Sequence, residues 1–125
     1  MRVQRGNLHY SFRLYIVSKG KRVLGKGGYQ ILEAVDRLGS ISAAANELQM
    51  SYRFIWNYVR RVEERLGKPV IVTRRGGAPH GRRKGGGGAQ LTRTAKSLLE
   101  NYRATEVLLQ KELASRKVRL AAGKR

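Results

Sequence analysis

Arg53, Asn57 and Arg60 follow one another at intervals of four and three residues. On a helix that turns ~100° per residue they share one face. The chemistry open to such a face is recognition rather than bond cleavage. A guanidinium offers two parallel donors to the edge of guanine, and a carboxamide can pair in the same two-point way with adenine. Ser51 can cap the start of this helix, and Tyr52 beside it can touch a thymine methyl or a phosphate. Ser51, Tyr52, Arg53 and Asn57 are therefore the candidate base readers. Ser42, Arg60, Arg61, Arg74 and Arg75 are the candidates for contacts to the phosphate backbone.

The remaining polar residues do not assemble a reaction centre. The two histidines, His9 and His80, are far apart in sequence, and there is no cysteine. The eight carboxylates are spread along the chain and mostly have basic neighbours three or four residues away, the spacing of helix-surface ion pairs. A nuclease would need clustered acids, and no such cluster stands out. Gly25-Lys26-Gly27-Gly28 and Gly85-Gly86-Gly87-Gly88 lack the Lys-Ser/Thr of a phosphate-binding loop and the spacing of a dinucleotide fingerprint. The expectation is a protein that is not an enzyme, with no cofactor and no metal site.

Charge agrees with that reading. Among 125 residues, 27 Lys and Arg oppose eight Asp and Glu, a formal net charge of +19. So lopsided a balance favours a polyanionic partner, most simply double-stranded DNA. No apolar run approaches a membrane span, and Met1–Leu8 lacks the apolar core of a signal peptide. A cytoplasmic, nucleoid-associated protein without a membrane partner is expected.

The reading face needs elements to position it. The helix from Ser51 to Leu66 places Ile55, Val59, Val62 and Leu66 on the side opposite Arg53 and Asn57, and Gly67 with Pro69 stops it. Trp56 and Tyr58 flank the apolar stripe. A short helix ending near Leu48 precedes it, capped by Ser40 or Ser42, with Ala44 and Ala45 small enough for a close crossing. Leu48, Met50, Ile55 and Val59 should fill the wedge between the two. Gln49, in the turn, occupies a place where Gly is common because the backbone turns left-handed there, at a cost of about 1 kcal/mol. A first helix spans Gly28–Leu38 and ends at Gly39.

Strands are expected before and after these helices. Leu8–Val17 alternates apolar and polar residues, and Arg22–Leu24 reads as its return strand across a Ser18–Lys21 turn. Val70–Thr73 and Ala89–Leu91 bracket a Gly- and Arg-rich segment that includes Arg74, Arg75, Arg82, Arg83 and Lys84. Directly after a helix-turn-helix, such a hairpin reads as a wing lying on the DNA backbone or in the minor groove. Thr92 can cap a long helix to about Arg116 whose stripe of Leu98, Tyr102, Leu109 and Leu113 invites a second copy. A homodimer would set two reading helices one DNA turn apart. The alternative is that this helix folds back over its own N-terminal hairpin.

The expected fold is mainly α with a small β component: a winged helix-turn-helix with an N-terminal β-hairpin and a long C-terminal dimerisation helix. Residues 1–91 form the DNA-binding domain, with the wing at about 70–91. Residues 92–116 form the last helix, and 117–125 a basic disordered tail. The function is sequence-specific DNA binding for transcription regulation. Its rival is a nonspecific architectural protein that holds DNA through charge alone.

The chain resembles the DNA-binding domain of the molybdate-responsive regulator (ModE) family, itself close to the winged helix-turn-helix of LysR-type regulators. The residues that carry the resemblance are Gly39-Ser40-Ile41-Ser42-Ala43-Ala44-Ala45, Met50-Ser51-Tyr52-Arg53, Trp56, Gly76-Gly77 and Gly85-Gly86-Gly87-Gly88-Ala89-Gln90-Leu91-Thr92. The resemblance implies a dimeric transcription factor whose reading helix starts at Ser51. Ala78–Lys84 makes a longer and more basic wing than the family pattern. The family's molybdate-binding domain has no counterpart before Arg125, so no molybdate site is expected.

Overall fold

The computed structural model describes residues 8–74 and 87–122. Within them the order is β1 (Ile16–Ser18), β2 (Lys21–Leu24), α1 (Lys26–Leu38), α2 (Ile41–Leu48), α3 (Tyr52–Leu66), β3 (Ile71–Arg74), β4 (Gly88–Leu91) and α4 (Arg93–Ala114). Two antiparallel two-stranded sheets, β1–β2 and β3–β4, flank a helical core. The fold is therefore mainly α with a small β component, a helix-turn-helix followed by a β-hairpin.

Local chemistry accounts for most boundaries. Lys19 and Gly20 both take positive φ, the pattern of a tight two-residue hairpin turn, and join β1 to β2. Gly39 ends α1 in the left-handed region, its N–H bonded to Val35 O at 2.8 Å. Of the two candidate caps for α2, Ser40 serves: its Oγ accepts the Ala43 N–H at 2.9 Å. Ser42 is thereby left exposed in the first turn. Gln49 closes α2 at φ 57 and ψ 46, the left-handed conformation expected for it.

Ile55, Val59 and Val62 are buried beneath α3 and meet Ala44, Ala45, Leu32 and Val35, with Leu66 half-buried at the edge. Met50 departs from expectation. It is 36% exposed, because the left-handed turn at Gln49 carries it outward and away from the wedge.

The base of the β3–β4 hairpin is tied to the helices at three places. The Val70 N–H donates to Glu63 Oε2 of α3 at 2.8 Å. The Ala89 N–H donates to Gly39 O at the α1–α2 corner at 2.8 Å. Thr92 caps α4 and also donates from its hydroxyl to Pro69 O at 2.9 Å. The hairpin is thus held in register with α2 and α3. Its far end, with Arg75, Arg82, Arg83 and Lys84, lies outside the described residues, as does the end of the basic tail at 123–125.

Two expectations about the ends of the chain are corrected. Only Ile16–Ser18 of the expected first strand pairs with β2, and the register slips between Ile16 and Val17. Leu8 and Tyr10, expected on a buried face, are 51% and 47% exposed. Tyr102 was assigned to a dimer seam. It is instead sealed in the chain's own core at 2% exposure, stacked on Tyr29 and donating to Leu14 O at 3.1 Å. A phenol that finds both a ring and an acceptor within its own domain is not available to a partner. The N-terminal half of α4 packs over α1 and β4, with Tyr102 reaching Leu14 of the N-terminal segment.

Candidate nucleic-acid interface

Ser51 sets the start of the reading helix. Its backbone is extended, and its Oγ accepts the Phe54 N–H at 2.9 Å, so α3 begins at Tyr52. From that origin the helical period turns Arg53, Asn57 and Arg60 outward, and all three are exposed. The face they form is opposite the buried Ile55, Val59 and Val62. It carries three polar side chains that are exposed to solvent.

A second set gathers beside it. Ser42, Tyr52, Trp56, Thr73 and Arg74 line a shallow cleft of about 180 Å³ between α2, α3 and the hairpin base, with Gly88 at its floor. Ser42, Tyr52 and Arg74, drawn from three separate elements, are therefore brought together. A phosphate in this cleft would meet a hydroxyl, a phenol and a guanidinium near the first turn of α2.

Arg60 and Arg61 diverge. The Arg60 guanidinium lies 5.6 Å from the centre of the Trp56 ring, on the cleft side of α3. Arg61 lies 5.5 Å from the Tyr58 ring on the other flank. There it lines a large open groove of about 1150 Å³ with Arg65, the segment Leu8–Tyr15 and the C-terminal half of α4. Arg61 thus stands apart from the Ser42–Tyr52–Arg74 set. Burial pushes the Tyr58 phenol above its ordinary pKa, with Arg61 and Arg65 acting against that shift.

The carriage of this face is braced by one arginine. Arg37 on α1 bonds Glu33 at 3.0 Å and Glu47 on α2 at 2.6 Å. Its hydrogen bonds to the two carboxylates, Glu47 first, raise the guanidinium pKa further, and the same contact holds the Glu47 carboxyl below its ordinary value. The clasp links α2 to α1. Among the described residues no group of three or more His, Cys, Asp or Glu comes together to hold a metal ion. No helix of the described residues is long and apolar enough to cross a membrane.

The remaining assignments fall on α4. Leu98 is half-buried and packs against the core, while Leu109 and Leu113 are half-buried nearer the C-terminal end. The large apolar side chains that α4 leaves exposed are Val107 at 46% and Leu108 at 66%. The sequence reading places Leu108 beside its stripe and passes over Val107. It also passed over Trp56 and Thr73 as cleft residues and Phe54 as an exposed one. A helical wheel of α3 alone places Phe54 beside Asn57, so that signal was present. The cleft depends on how the hairpin docks and had no local sign.

Residues 28–96 match the family described as "Bacterial regulatory helix-turn-helix protein, lysR family". The chain is 38% identical over 92 residues to the molybdenum-pterin-binding protein MopB of Rhodobacter capsulatus, covering 74% of this chain and 32% of that one. It is 33% identical over 84 residues to the molybdenum transport protein ModE of Azotobacter vinelandii, covering 67% and 29%. The chain thus spans under a third of the length of either relative. Among solved structures, the CbnR DNA-binding domain in complex with DNA is similar over 67% of this chain and 82% of that one, with 26% identity and a TM-score of 0.47. With the family match covering more than half of its residues, from the start of α1 to the start of α4, the chain belongs to the lysR family of bacterial regulatory helix-turn-helix proteins.

Proposed function

We propose that this chain is the DNA-reading part of a dimeric transcriptional regulator. In this reading the first turns of α3 enter the major groove. Arg53 and Asn57 contact base edges, with Ser51 and Tyr52 at the helix head. Ser42, Arg60 and Arg74 hold the backbone beside them, and Arg61 reaches it from the other flank. Arg75, Arg82, Arg83 and Lys84 add their charge to the same basic partner surface in this reading. The observation that carries the proposal is the alignment of Arg53, Asn57 and Arg60, all exposed on a Ser51-capped helix and opposite its buried stripe. The relatives' names speak of molybdenum. The proposal for this chain rests on DNA alone and routes no step through that element.

Dimerisation belongs to the same proposal. A 22-residue helix is about 33 Å long, and its C-terminal half keeps Val107 and Leu108 in water. A second copy packed along this half, beside Leu109 and Leu113, would cover them.

Selection of bound fragments from random duplex DNA tests the reading. An enriched motif is expected, with Arg53→Ala and Asn57→Ala each weakening cognate binding by roughly 1–3 kcal/mol and relaxing selectivity at one position. A flat profile with a steep salt dependence would instead identify an architectural protein. A charge of +19 supplies that affinity without any reading of bases.

A further inference from the structure

Three large apolar side chains stand exposed around the start of α3: Tyr52 at 52%, Phe54 at 49% and Met50 at 36%. None belongs to the core or to the half-buried residues packed against it. They do not share one role. Met50 precedes the Ser51 cap, and Tyr52 lines the cleft with Trp56 and Arg74. Phe54 is turned to the other side of Arg53. Its backbone N–H is fixed by Ser51 Oγ, so its place in the first turn is set by the cap. Three residues before Asn57, it lies about 60° round the helix from the carboxamide. Folding gains little from an aromatic ring left half in water at this point.

The major groove presents one apolar feature to such a ring, the C5-methyl group of thymine. We infer that Phe54 is a specificity-determining residue, packing on a thymine methyl next to the base that Asn57 contacts. The helix then selects its site by methyl burial on one side of Arg53 as well as by hydrogen bonds at its centre. The inference rests on the base-reading role of α3 proposed above.

Replacing thymidine by deoxyuridine removes the methyl and leaves the pairing intact, which supplies the test. Duplexes enriched by selection are compared with the same duplexes made with deoxyuridine. Wild type should bind the uracil form about fourfold more weakly for each methyl that Phe54 covers, the value of one buried carbon. Phe54→Ala should bind both forms alike, and Phe54→Leu should keep part of the difference. Because Phe54 lies outside the core, the thermal midpoint of Phe54→Ala should stay close to that of wild type. Equal binding of both forms by wild type overturns the inference and leaves reading by Arg53 and Asn57 intact. A full thymine preference retained in Phe54→Ala does the same. A flat selection profile overturns both.

Discussion

The Glu63 carboxylate of α3 accepts the backbone N–H of Val70 at 2.8 Å, and that of Ile71 more weakly at 3.4 Å. One acid thus holds the first turn of the hairpin against the helix that carries the reading face. Glu63→Ala leaves the buried Val70 N–H region without its acceptor. It should cost about 1–3 kcal/mol in urea unfolding, the range for leaving a buried donor without its acceptor. Glu63→Gln keeps an acceptor oxygen and should recover part of that loss.

The Arg37 clasp makes the helix-turn-helix sensitive to acid. Glu47 has its folded-state pKa lowered, chiefly by its hydrogen bond from Arg37. A depressed carboxyl contributes stability above its unfolded pKa and loses it as pH falls through the folded one. The α1–α2 contact should therefore hold at neutrality and weaken as pH falls below the ordinary glutamate range toward the lowered folded pKa. Glu47→Gln should flatten that acid limb in thermal unfolding measured against pH, because it lowers the midpoint at pH 7 and leaves it nearly unchanged in acid.

Gln49 is held at φ 57 with no glycine to ease it. Gln49→Gly removes the Cβ clash that a left-handed residue carries, about 1 kcal/mol, against the greater freedom glycine has when unfolded. The expected outcome is a small rise in thermal midpoint with DNA selectivity unchanged. A fall would mean that the Gln49 side chain contributes more than its backbone costs.

Leu108, at 66% exposure, is the most open large apolar residue of α4. Leu108→Glu should leave the fold intact and shift sedimentation from dimer to monomer. Affinity for a two-half-site duplex should then fall far more than affinity for a single half-site. If sedimentation does not change, the C-terminal half of α4 is not the seam.

What was legible in the sequence was local. Gly39, Ser51, Gly67 and Thr92 mark helix ends through their own backbone chemistry, and each sits where it was expected. The α3 stripe was equally plain, since its period is internal to one helix. Where two residues could serve locally, as Ser40 and Ser42 could, spacing alone did not choose between them. Long-range pairings left no trace: Glu106 reaches Lys26 across 80 residues, and Glu63 caps a strand rather than pairing with a neighbour on its own helix. Tyr102 was misplaced for the same reason. An apolar position on a long helix looks identical whether its cover comes from a second copy or from Tyr29 and Leu14.

The rings beneath Arg60 and Arg61 have an entropic consequence. A free arginine on a helix surface surrenders up to about 2 kcal/mol of rotamer freedom when a phosphate or base immobilises it. With Trp56 under one guanidinium and Tyr58 under the other, part of that ordering precedes the encounter. These two cations stand about 100° apart on one helix. A polyanion that met α3 there would find both guanidiniums partly ordered, and less freedom would be lost on contact.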